Sequence, residues 1–207
     1  MSQRTLQRNG RLVRLVRLSG EALDRAARAA LTPSGTSGEQ ELDAAGRTLG
    51  RLYEEIEAEA ADLLDTTGPP VEPRVLVVEV HVASHVQRLA ETARGVGDIA
   101  WVRRERGPLP ERLRTPLSGM AGLAVSMLGA AADLLATPRA AGTADLHDGL
   151  NEMAQRQRLL YERLLSSTPA PTRLDVVDTV LLGGAFDRCA THSVSAVRHV
   201  LLPVGAP

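Results

Sequence analysis

The sequence contains no lysine. All 24 of its basic residues are arginine, set against 25 acidic ones, and the formal net charge is −1. A balance this close to neutral carries no global electrostatic footprint for nucleic acid, which is therefore not expected as a partner. Cysteine is almost absent as well. Cys189 stands alone, which excludes an internal disulfide and a cysteine-based zinc cluster and suits a reducing compartment. The first residues contain no apolar run followed by a small-residue cleavage site, so no secretory signal is read there and a cytoplasmic location is expected. Aromatic residues are scarce too: Tyr53, Trp101, Tyr161 and Phe186 are the whole set, although 43% of the chain is apolar. A core must then be assembled from Leu, Val and above all Ala, which suits closely packed helices better than a β-sandwich.

Long runs of Leu and Ile are also missing. One uncharged stretch, 115–132, reaches the length of a membrane span. It is rich in Gly, Ala and Ser and has no second span beside it, so it reads as a buried core helix.

Breakers punctuate the rest at intervals: 32–38 (TPSGTSG), 67–73 (TGPPVEP), 107–110 (GPLP), 137–143 (TPRAAGT) and 166–172 (SSTPAPT). Six segments of helical length lie between them, too long for ordinary strands. In the first, Leu12, Leu15, Val16, Leu23, Ala26, Ala27 and Ala30 share one arc, opposite Arg11, Arg14, Arg17, Asp24 and Arg28. The second opens after Ser37 with Gln40 as a capping-box pair and runs an apolar stripe through Leu42, Ala45, Leu49, Leu52, Ile56 and Leu63. Residues 75–82 alternate like a β-branched strand. Yet Val75, Val78, Val82, Val86 and Leu89 keep helical spacing, and a lone strand would have no partner. Thr143 and Thr172 are expected N-caps of the fifth and sixth helices.

The order of elements repeats. Leu52-Tyr53-Glu54 is answered by Leu160-Tyr161-Glu162, and Gln87-Arg88 by Asp187-Arg188. The expected fold is all-α, with two tandem antiparallel three-helix bundles over 1–106 and 107–207.

Chemistry-bearing groups are sparse. His81 and His85 share a helix face at a spacing used by metal ligands, but Val82 stands where a zinc peptidase needs Glu. His192 and His199, like that pair, read as surface or partly buried histidines. The residues three before each histidine are Val78, Val82, Ala144, Cys189 and Ala196, so no Glu-x-x-His pair of a di-iron bundle occurs. The acidic run from Glu54 to Asp65 lacks the ligand spacing of a calcium loop and reads as a solvated face that could meet a basic partner through Glu55 and Glu59. Arg4, Arg8, Arg11, Arg14 and Arg17 all precede the first acid, Glu21, and could dock on an acidic partner or a membrane surface. No Gly-x-Ser-x-Gly elbow and no glycine-rich phosphate loop appears. Cys189 reads as a small buried apolar residue. Gly46, Gly50, Gly183 and Gly184 inside helices point to close helix approach.

These features resemble the PhoU family of phosphate-uptake regulators, whose members run a three-helix unit twice. The stretch 52–57 (LYEEIE) is similar to the family's second-helix pattern, and 85–93 (HVQRLAETA) and 186–192 (FDRCATH) to its third-helix motif. The closing stretch 197–205 is similar to the family's last segment. The resemblance implies a non-enzymatic cytoplasmic adaptor, able to form a homodimer, that contacts the ATPase of a phosphate transporter and a membrane sensor histidine kinase. Association with the membrane would then run through those partners. It also implies a place for iron or zinc, held by paired carboxylates on the third helices. Here those positions are Gln87 with Glu91 and Asp187 with Thr191, so each pair has lost one carboxylate. The second-helix acids fall on Gly46 and Gly50, and near Ala154 and Arg158. Sites so reduced should bind hard cations weakly, and no cofactor is expected. Two other readings are a metal-dependent hydrolase or oxidase housed in the bundle and a divergent paralogue that scaffolds a different transporter.

Overall fold

A computed structural model describes residues 3–31, 73–137, 139–166, 168 and 170–201, with Arg47, Arg51, Glu54, Glu55, Ala58 and Ala61 in between. The fold is all-α. Its helices are α1 (Gln3–Leu31), α2 (Pro73–Arg103), α3 (Glu111–Ala136), α4 (Ala140–Ser166) and α5 (Arg173–Leu201), and the described residues contain no strand.

The apolar arc foreseen in the first segment is the buried face of α1: Leu12, Leu15, Val16, Leu23, Ala26, Ala27 and Ala30 are all in the core. Residues 75–82 are helical. Pro73 occupies the first helical position, where its fixed φ costs nothing. Val82, Val86, Leu89, Ala93, Val96 and Ala100 then bury one face at helical spacing. That burial outweighs the β-preference of the valines, because propensity is a weak term beside tertiary packing. The six described positions between α1 and α2 are helical and exposed. They fall on the arc opposite the predicted stripe of Leu42 to Leu63, and the stripe itself lies outside the described residues. So do the Ser37–Gln40 capping box, Gly46 and Gly50.

Thr172 caps α5 as expected. Its Oγ1 accepts the Asp175 N–H at 3.1 Å and donates to the Asp175 carboxylate at 2.8 Å, so the first turn has its donors satisfied. Thr143 does not cap α4, which begins three residues earlier at Ala140. The connection closes sooner because Gly142 packs directly on Leu134, in space a Cβ would occupy. The Thr143 carbonyl instead accepts from His147 Nδ1 within the helix at 2.8 Å. Pro116 lies inside α3 and removes one backbone donor near its start.

Packing joins the two halves of the chain. Arg103, at the end of α2, meets Asp175 and Asp178 at the start of α5, and His85 further back meets His192 further on. The two helices are therefore antiparallel. In the same way Gly20 lies against Leu128 while Arg17 reaches Asp133, so α1 and α3 are antiparallel too. Helix α4 lies outside, on α3 and α5, with Leu146, Met153, Leu160 and Leu164 turned inward. One continuous core includes residues from all five helices. The 115–132 stretch lies in α3, which is long and apolar enough to cross a membrane but has half of its most apolar window buried. Leu117, Met120, Ala124, Leu128 and Leu135 pack into that core.

Candidate functional site

The seam between α2 and α5 holds the residues that most resemble a site. Each of the two helices carries one copy of the motif that the sequence repeats, around Gln87 in α2 and Asp187 in α5. His85 and His192 face each other across the seam with their Nδ1 atoms 3.3 Å apart and ring centroids 5.4 Å apart. Such a contact needs one imidazole to donate and the other to accept, so at least one of the pair is neutral. Burial lowers the pKa of His192 below its ordinary 6.5, and the charges of Arg88 and Arg188 lower it further. His192 is half-buried, while Arg88 and Arg188 are exposed. The Arg188 guanidinium lies back over Gly184, its Nη1 3.4 Å from where a Cβ would stand.

One end of the same seam is sealed by ions. Arg103 is only 5% exposed. Its guanidinium donates to Asp178 at 2.5 Å, to Asp175 at 3.0 Å and to the Gly107 carbonyl at 3.2 Å. Arg106 joins Asp178 at 3.0 Å. Two cations meet two carboxylates, so burial leaves no net charge uncompensated, and the cluster pins α2 to α5. Burial by itself would push the Asp175 carboxyl up. Hydrogen bonds from Thr172 and Arg103, with the Arg103 charge, together hold it below the usual carboxylate value. Sequence reading missed this cluster, because Arg103 looks like any other arginine at a helix end. The nearest signal was the Thr172–Asp175 pair, whose capping pattern places two acids, Asp175 and Asp178, one turn apart.

The residues singled out from sequence scatter over several surfaces. Gln87 and Glu91 are exposed on α2; on α5 Asp187 is half-buried and Thr191 exposed. Ala154 and Arg158 are exposed on α4. Among the described residues no three His, Cys, Asp or Glu side chains come together. Gln87 and Thr191 bring no charge, and the arginines nearby make the seam inhospitable to cations. The donors here do not fit an iron or zinc cluster, which needs several anionic ligands at once. Of the arginine stripe, Arg8 lies in α1, Arg11 is half-buried, and Arg14 and Arg17 are exposed. Arg14 pairs with Glu55 at 3.7 Å, and Arg17 with Asp133 at 3.2 Å. Two groups chosen separately as partner contacts, Arg14 and Glu55, thus face each other. Glu59 lies outside the described residues. Cys189 is fully buried, as its composition context implied.

No family model matches the chain. It is similar to the phosphate-specific transport system accessory protein PhoU homolog 1 of Mycobacterium bovis and to that of Mycobacterium tuberculosis. Each is 28% identical over 203 residues, covering 98% of this chain and 91% of the relative. Among solved structures, that of PhoU from Pseudomonas aeruginosa shares the fold, with a TM-score of 0.71 at 14% identity over 94% of this chain and 93% of that one. The likeness to PhoU proteins thus runs along almost the full length of the chain and extends to the same helical fold.

Proposed function

We propose that the chain is a cytoplasmic, non-enzymatic regulator of a phosphate-transport system. It binds the transporter ATPase, a membrane sensor histidine kinase or both through exposed helix faces, and so restrains phosphate-starvation signalling. The observation that carries this reading is the similarity over 98% of the chain to relatives named as accessory proteins of phosphate-specific transport.

The side-chain chemistry supports binding over turnover. The hydroxyls of Ser19, Ser166, Ser193 and Ser195 each donate to a carbonyl of their own helix, which engages the proton a nucleophile would have to give up. Burial pushes the Cys189 thiol up to about 12, so a thiolate nucleophile is disfavoured. Large parts of α2, α4 and α5 remain exposed, including Val77, Val80, Leu159, Val177 and Leu181. Scattered apolar groups on such faces suit protein contact.

The purified full chain is expected to retain the transporter ATPase or the cytoplasmic part of the kinase in a direct binding assay. Failure to bind either would overturn the adaptor reading. Elemental analysis separates the enzymatic alternative: no stoichiometric iron or zinc is expected, and one equivalent of either would revive a metal-dependent activity.

A further inference from the structure

The outer side of α5 keeps a spacing of its own. Positions 174, 177, 181, 184, 188, 191, 195 and 198 are exposed or half-exposed and recur at alternating steps of three and four. That is the a and d spacing of a coiled-coil stripe, here turned to solvent. Its first half is apolar. Leu174, Val177 and Leu181 leave 55%, 50% and 50% of their surface in water, and Gly184 follows them. Val180, also exposed, stands beside Leu181. Single exposed apolar groups are ordinary, but three at successive positions make a continuous stripe about 10 Å long.

The charge along this stripe has one sign. Arg173 precedes Leu174, Arg188 takes the position after Gly184, and Arg198 closes the series. The Arg188 guanidinium lies back over Gly184, which sets a cation at the end of the apolar stretch. No carboxylate answers these arginines. Asp175 and Asp178 are turned into the cluster with Arg103 and Arg106, and Asp187 is half-buried and off the series. Among the described residues none of Arg173, Arg188 and Arg198 forms an ion pair. Elsewhere Arg17, Arg28 and Arg156 each have a carboxylate within 3.2 Å.

We propose that the outer face of α5 from Arg173 to Arg188 receives an amphipathic helix of a protein partner, one with aliphatic side chains at steps of three and four and carboxylates flanking them. That spacing matches a second helix crossing at about 20°, its side chains seated between those of the stripe. A bilayer sets no such spacing and takes a broad apolar face, whereas this stripe is one side chain wide except at Val180. A second copy of the chain would bring the same arginines and no carboxylate, so like charges would meet. The inference rests on the adaptor reading for the existence of a partner and adds where the partner is held and by what chemistry.

The probe is a fluorescently labelled helical peptide with Leu at its a and d positions and Glu beside them, short enough to stay monomeric, with a counterpart that carries Lys in place of Glu. Titration of each with the full chain is read by anisotropy. Saturable binding of the Glu peptide is expected, with the Lys peptide at least about tenfold weaker. Leu181→Gln and Arg188→Gln should each weaken the Glu peptide by about tenfold. Val80→Gln, at an exposed position of α2, should bind as the parent does. Thermal melts establish that the variants fold, as replacement of exposed side chains predicts. No saturable binding, equal affinity for the two peptides, or undiminished binding by the folded Leu174→Gln/Leu181→Gln double variant would overturn the site. So would phosphatidylglycerol-vesicle binding or self-association of the parent that the double variant loses, since the face would then belong to a bilayer or a second copy. The same double variant separates this site from the adaptor reading. Loss of binding to the transporter ATPase or the cytoplasmic part of the kinase supports the site, and retained binding overturns it while the adaptor reading stands. A parent that binds neither overturns the adaptor reading, and the peptide titration still decides the face.

Discussion

Cys189 is fully buried, and its thiol pushed up to about 12 should be inert while the chain is folded. A thiol reagent is expected to label it only in denaturant, and rapid labelling of the native protein would mean that α5 faces differently. Asp175 makes a pH prediction. Its folded pKa lies below the ordinary 3.8, so the unfolded chain takes up a proton first as the pH falls. Its stabilising contribution is complete above the unfolded value and is lost as the pH drops through the folded one. Melting temperatures between about pH 5 and pH 2 should therefore fall less steeply in Asp175→Asn than in the parent. At this scale the sequence was partly readable. Cys189 in its apolar setting and Thr172 before a helical run are local signals. The partners of Arg103 and His85 were not, because those contacts join residues more than seventy positions apart and nothing local marks them.

Among the elements, α5 shows why a helix keeps a costly glycine. A Cβ at Gly183 would lie 3.0 Å from Leu160 Cδ2, with Met120 and Leu117 behind it. Gly183→Val should destabilise by about 1–3 kcal/mol through overpacking, measured by denaturant unfolding; a neutral result would mean that α4 and α5 are not in close contact. The helices themselves were legible wherever periodicity was strong. The arc of α1 needed only its leucines and alanines, and α2 declared itself through Val78 to Leu89 despite its β-branched alternation. Element starts were less so. The α3–α4 connection closes at 137–139 rather than running to Thr143, because tight packing of Gly142 on Leu134 is a tertiary contact that turn-forming composition does not encode.

For the molecule as a whole, the internal repeat predicts two similar halves and says nothing of how they would meet. Antiparallel pairing of α1 with α3 and of α2 with α5 buries faces that each half would otherwise leave in water. The core runs through both halves, so the full chain should unfold in one cooperative transition. Two separated transitions by calorimetry would show that 1–106 and 107–207 stand alone.

The functional claim is regulatory, and the measurement that reaches it most directly is expression of phosphate-starvation genes in cells lacking this chain. With phosphate plentiful, those genes should rise when the chain is deleted and fall again when it is restored. Unchanged expression in the deletion strain, under both plentiful and limiting phosphate, would contradict it.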